Sequence, residues 1–189
     1  MQRFRRCPKH SVAKAHQGFF SETKFNIENF KRLEGRLLEV GRSCVHIDYR
    51  DRSALNLMWE GIAQYVIRHK VRYLFGSASI MTADVYRVSE YFQMLRMFGF
   101  YEERGIIPRV QAHAFPIVEN IEVTNPRLLF KQLPTLLKGY MNIGLKVCGY
   151  PAMGDFKTAI FPILLDVTKT SEHYRRKFFV RYKHNYCSF

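Results

Sequence analysis

Long apolar runs are missing from this chain of 189 residues. The longest, Ala159–Leu165, falls far short of the roughly 20 residues that a membrane-spanning helix needs. The basic N-terminus is not followed by the apolar stretch of a signal peptide, so a cytoplasmic protein is expected. Cysteine is scarce: Cys7, Cys44, Cys148 and Cys187 are scattered without a CxxC pair, and no histidine stands at metal-ligand spacing from another histidine or cysteine. Free buried thiols are therefore expected, rather than disulfides or a zinc site. A glycine-rich phosphate loop, internal repeats and low-complexity segments are also absent, as are RRM, zinc-finger and helix-turn-helix signatures. Ser43 and Ser79 have no histidine–aspartate partners and nothing activates Cys44, so no covalent nucleophile is expected.

Acidic residues are few as well, 16 against 30 lysines and arginines, for a net charge of +14. The excess sits at the ends. Residues 1–17 hold Arg3, Arg5, Arg6, Lys9 and Lys14 with no acid, and residues 173–189 hold Arg175, Arg176, Lys177, Arg181 and Lys183, again with none. The middle is nearly balanced. Basic ends of this kind attract acidic proteins, anionic lipid or nucleic acid. The tail Tyr174–Tyr186 interleaves aromatic and basic residues, which suits a membrane surface, RNA stacking or packing of Phe178 and Phe179 on the core.

What the chain has in plenty is core material: 47% apolar residues, with 16 Phe and 11 Tyr. Residues 36–47 read as a buried strand, 48–53 as a polar turn, and Ala54–His69 as an amphipathic helix capped by Ser53. A strand follows over Val71–Ile80, with Gly76 marking a close approach. A second helix is expected over 83–104, and a short strand at Ile117–Val123. Pro126 opens a helix over 127–142 that Pro134 kinks or splits, and strands follow at Leu145–Cys148 and Ala159–Val167. This order predicts an α+β (mixed α/β) sheet domain.

Two features carry chemistry. Glu39 and Arg42 are charged residues inside an apolar strand, where burial is expensive unless they are paired. They form either a structural ion pair or a general base, Glu39, supported by an arginine that could also hold a carboxylate. The turn Asp48–Ser53 opens a helix flanked by Arg50 and Arg52. It is either a plain capped start or a phosphate site.

The runs LLEVGRSCVHIDYR, LNLMWEGIAQYV, RYLFGSASI and LPTLLKGYMNIGLKVCGYPA resemble the hemolysin-like acyltransferases of the GNAT superfamily, which include enzymes that form lyso-ornithine lipids. The E-x-x-R of Glu39 and Arg42 is also similar to that of acyl-homoserine lactone synthases. The resemblance spans about Gly18 to Phe178. It implies a GNAT-like domain over 18–172 with a helical insert near 81–125, a basic lead-in over 1–17 and a basic aromatic tail over 173–189. Only 17 residues precede the match, so the family's first strands are expected to be missing.

The resemblance also implies that Val40–Val45 and Tyr73–Ser79 splay into a V that holds a thioester, with Val40 and Ser79 along its walls. Glu39 would accept the amine proton, with Arg42 in support. Arg50, Arg52 and Ser53 would take a phosphate of the pantetheine arm. No permanent cofactor is implied; acyl carrier protein or acyl-CoA is the co-substrate and an amino acid such as ornithine the acceptor. The alternatives are an acetyl-CoA or acyl-CoA transferase acting on a small amine, and a non-catalytic membrane- or partner-binding remnant. The basic ends suit an acidic carrier protein and an anionic membrane surface. Ile160 stands where the family would carry aspartate.

Overall fold

Side chains alternate across a strand, so neighbouring Leu37 and Leu38 must be buried on opposite faces of a sheet. The computed structural model, which describes residues 5–6, 18–41, 46–49, 52–155 and 157–180, covers both faces. The strands are β1 (Arg5–Arg6), β2 (Phe25–Asn26), β3 (Arg36–Glu39), β4 (Val71–Ile80), β5 (Tyr101–Pro108), β6 (Lys146–Gly149), β7 (Ala152–Gly154) and β8 (Thr158–Asp166). They form one curled mixed sheet in the order β1-β3-β4-β8-β6-β5-β2, with β7 also paired to β8. The β3/β4 and β5/β6 pairs are parallel, and every other pair is antiparallel.

One face packs against helices α2 (Arg52–Arg68), α3 (Val85–Met97), α4 (Pro126–Gln132) and α5 (Thr135–Ile143). Leu38, Leu74, Phe161 and Leu165 meet Ile62, Val66, Phe92, Leu137 and Met141 there. The other face is covered by the segment before β3, which includes the short helix α1 (Glu28–Lys31). Phe19, Phe25, Ile27 and Phe30 lie over Leu37, Phe75, Ile106 and Cys148. The Phe19 and Phe30 rings both meet Phe75 edge-on, with centroids 4.9 and 5.6 Å away.

The α+β architecture agrees with the expectation from sequence, and the differences have local causes. Ser53 was expected to cap α2; the described helix already includes Arg52, and the side chain of Ser53 lies outside the description. The helix expected over 83–104 runs only from Val85 to Met97. Asp84 caps it through Arg87 N–H, and Gly99 turns the chain out at φ +68°. The insert is therefore not wholly helical: Tyr101–Pro108 is strand β5. Ile117–Val123 forms no strand, since a turn at Glu119–Asn120 breaks it, with Asn120 at φ +56°. Pro134 does split its helix, into α4 and α5. The strand expected over 36–47 keeps its ladder only as far as Val40, and residues 42–45 lie outside the described ones. Of residues 1–17, Arg5–Arg6 are described, as β1 paired with β3. After Asp166 the chain passes through helix α6 (Glu172–Tyr174) into a wider helical turn, Arg175–Val180, and residues 181–189 lie outside the description.

No helix among the described residues is long and apolar enough to cross a membrane. Cys148 is a free, fully buried thiol, and burial pushes its pKa up to about 12. The other three cysteines lie outside the described residues. Cys148 is therefore expected to resist thiol reagents at neutral pH until the protein unfolds. Mass mapping of its peptide after labelling with and without denaturant checks this.

Candidate active site

A parallel strand pair that separates in mid-sheet leaves backbone groups without a ladder partner. Among the described residues, the pairing of β3 with β4 stops at Val40. Glu39 pairs with Phe75, and Val40 N–H then donates to Phe75 O at 2.8 Å, the last rung between the two strands among the described residues. β4 runs on to Ile80, held along its other edge by β8 through Ile80 and Ala159. N–H and C=O groups alternate between the two edges of a strand, so those of Ser77 and Ser79 face the β3 side, beside residues 42–45, which lie outside the described ones. The departure is close. A Cβ on Gly76 would stand 2.3 Å from Val40 O, so only glycine lets the carbonyl lie over the strand.

Beneath the fork, on the helical face, lies a small apolar crevice of about 20 Å³. It is lined by Val40, Leu74, Phe75, Trp59 of α2, Tyr140 of α5 and Ile163. The Trp59 and Tyr140 rings meet edge-on at 5.4 Å and form its far wall.

Glu39 points to the opposite face and is 5% exposed. Its Oε2 accepts from Phe20 N–H at 2.8 Å, and its Oε1 accepts from Ser21 N–H and Ser21 Oγ–H, each at 2.6 Å. The donors belong to a 3-10 turn, Phe20–Thr23, whose first N–H groups have no partner within the turn. Glu39 thus fastens the covering segment to the edge of β3. A second clasp acts within that segment, where Glu22 accepts from Phe19 N–H at 2.5 Å and pairs with Lys31 at 2.5 Å.

The structure brings Glu39 and Val40 together at the fork. The Val40 N–H is already bonded to Phe75, so this residue offers its side chain to the crevice. Ser79 is exposed and lies four residues beyond Phe75 on β4, about 13 Å along the strand. Arg42 and Arg50 lie outside the described residues. Arg52 and Ser53 stand in the first turn of α2, with their side chains likewise outside the description. The close approach at Gly76 was legible in the sequence. Ser21, Trp59 and Tyr140 were not singled out as site residues, because no spacing pattern links Ser21 to a carboxylate 18 positions later.

Two outcomes test this geometry. Gly76→Ala forces a backbone shift at the fork and is expected to destabilise the protein by about 1–3 kcal/mol, read as a lower urea midpoint. Ser21→Ala removes a hydroxyl bonded to a buried carboxylate and should cost about 1.5–3 kcal/mol by the same measurement.

The chain is similar to known acyltransferases over most of its length. The model of the Acetyltransferase (GNAT) domain family matches residues 3–60. The L-ornithine N(alpha)-acyltransferase of Rhodobacter capsulatus is 31% identical over 165 residues, 86% of this chain and 62% of that protein. That of Brucella abortus is 30% identical over 177 residues, 89% of this chain and 62% of its own length. That of Rhizobium meliloti is 31% identical over 175 residues, 88% and 57%. The chain therefore spans about three-fifths of the length of these curated relatives. No solved structure matches it at a significant level. With a curled mixed sheet between helices and a covering segment, this chain has a GNAT-like α+β fold and is similar, at about 30% identity over most of its length, to the L-ornithine N(alpha)-acyltransferases.

Proposed function

We propose that this chain is an N-acyltransferase that moves a long-chain 3-hydroxyacyl group from a carrier-protein thioester onto the amine of an amino acid, in lipid synthesis. The acceptor is ornithine, the substrate that the relatives' name gives. The observation that carries the reading is the fork after Val40 and Phe75, with an apolar crevice under it and a carboxylate on its opposite face.

A thioester laid in the fork has its carbonyl beside the N–H groups of Ser77 and Ser79, which face the β3 side. A backbone N–H aimed at the developing oxyanion is worth about 3 kcal/mol in comparable sites. The amine attacks the carbonyl carbon, the N–C bond forms, and the C–S bond breaks. The thiolate leaves as the pantetheine sulfur, and the amine gives up one proton. Glu39 takes that proton through water: Oε2 has one donor among the described residues and a second lone pair to offer. The reaction needs no covalent enzyme intermediate. Holding donor and amine together supplies much of the remaining acceleration. Arg42 supports Glu39 or holds the acceptor carboxylate, and the turn from Asp48 to Ser53, with Arg50 and Arg52, takes the phosphate of the pantetheine arm. Acyl-CoA carries the same arm and is the alternative donor.

The test is acyl transfer by this chain from 3-hydroxypalmitoyl carrier protein, or from the corresponding CoA ester, to ornithine, with the product read by mass spectrometry. Glu39→Gln is expected to lower turnover by about 100-fold or more. Ser21→Ala, which loosens the same segment but keeps the carboxylate, is expected to retain turnover below its melting temperature. Equal activity in Glu39→Gln and the parent chain would remove Glu39 as the base. No product from a folded chain that binds the carrier protein would overturn the transfer reading.

A further inference from the structure

The crevice under the fork is too small for the chain that a long acyl thioester would bring to it. Its volume of about 20 Å³ has room for roughly one water-sized group. Its far wall, however, is a pair of side chains rather than backbone. Trp59 of α2 and Tyr140 of α5 meet edge-on at 5.4 Å, and both are only partly buried, so the seam between the two helices lies behind them. A single edge-on contact between rings is weak enough for an entering chain to part.

The same seam is strapped from outside. Ser171 N–H donates to Ile143 O at 3.3 Å and Ser171 Oγ–H to Asn142 O at 3.4 Å, which fixes the segment after β8 to the C-terminal end of α5. Further along that segment, Lys177 Nζ–H donates to Asn56 Oδ1 of α2 at 3.0 Å. The helical residues between these anchors rise about 9 Å, the separation of two packed helix axes. Tyr140 lies one turn before Ile143 on α5, and Trp59 one turn after Asn56 on α2, so the ring pair sits between the anchors. Tyr174, midway along the strap, is half-buried and packs on the same core cluster as Trp59 and Tyr140. Glu172 pairs with Arg175 at 2.5 Å and with Arg176 at 2.8 Å, which stiffens the strap from within.

We propose that Trp59, Tyr140 and the strap Ser171–Lys177 set the length of acyl chain that this site accepts. The chain runs from the fork into the crevice, parts the two rings and follows the seam between α2 and α5, and Tyr174 stops its end. The lining side chains of Val40, Leu74, Leu145, Ile163 and Leu165 carry no polar atom, which suits an unsubstituted alkyl segment. The strap is a specificity element and takes no part in the bond changes. The proposal rests on the acyl-transfer reading for the thioester that delivers the chain, but binding of the chain is measured without turnover.

Trp59 is the only tryptophan of the protein, so its fluorescence reports on this wall directly. Palmitate brominated at mid-chain, which quenches an indole on contact, is titrated into the protein below its micelle concentration, with unbrominated palmitate as the control. Saturable quenching by the brominated acid alone is expected. Straight-chain fatty acids of increasing length then compete for the site. In the parent, each added methylene is expected to tighten binding about fourfold, up to a length beyond which affinity stops rising. Tyr174→Ala is expected to move that limit to longer chains. Tyr174→Leu is expected to move it in the same direction, and replaces the alanine variant if that one melts early. Absence of quenching, or one length limit shared by the parent and both variants, overturns the proposal. Acyl transfer without quenching would keep the transfer reading and sink the length gate. Quenching with a shifted limit but no transfer would uphold the gate and leave the failure to the transfer reading alone.

Discussion

A carboxylate buried at the end of a strand has to find donors, and the way Glu39 finds them organises one half of this molecule. Its three hydrogen bonds come from Phe20 and Ser21, so the chain before β3 is pinned across the sheet. Once pinned there, Phe19, Phe25, Ile27 and Phe30 can cover Leu37, Phe75 and Cys148. Without that clasp, the face opposite the helices would lie open to water. The same residue that closes the core thus stands at the fork of the proposed site, and its structural part and its proposed catalytic part would be two uses of one charge.

The fork depends on a contact that tolerates no side chain. Val40 donates to Phe75 while its carbonyl lies over the Cα of Gly76, after which β3 leaves β4. β4 keeps its other edge paired with β8 to its end, so the sheet survives the loss of a neighbour. Beyond that contact the N–H groups of Ser77 and Ser79 face the β3 side, and Trp59 and Tyr140 wall the apolar crevice on the helical face.

Most of the net charge of +14 comes from the two basic ends of the sequence, each of which holds five lysines and arginines and no acid, and Lys177 ties the start of the second of them to α2.

Much of the fold was legible because it follows from local pattern. The α+β class, the strand at Val71–Ile80 with Gly76, the helix before it and the split at Pro134 all follow from periodicity and from what glycine and proline permit. The oddity of a charged Glu39 in an apolar strand was legible too. Its partners were not, because Ser21 comes to it through a chain path that no spacing rule encodes. Strand β5 was hidden for a related reason: Tyr101–Pro108 carries charges that suit an exposed helix face as well as a half-exposed strand, and only pairing with β6 and β2 settles it. The sequence by itself determined which segments are apolar, where the chain must turn and where the charge lies. Tertiary structure alone decided which donors answer Glu39 and where β3 leaves β4, because those are contacts between segments far apart in the chain, chosen by burial rather than by neighbours.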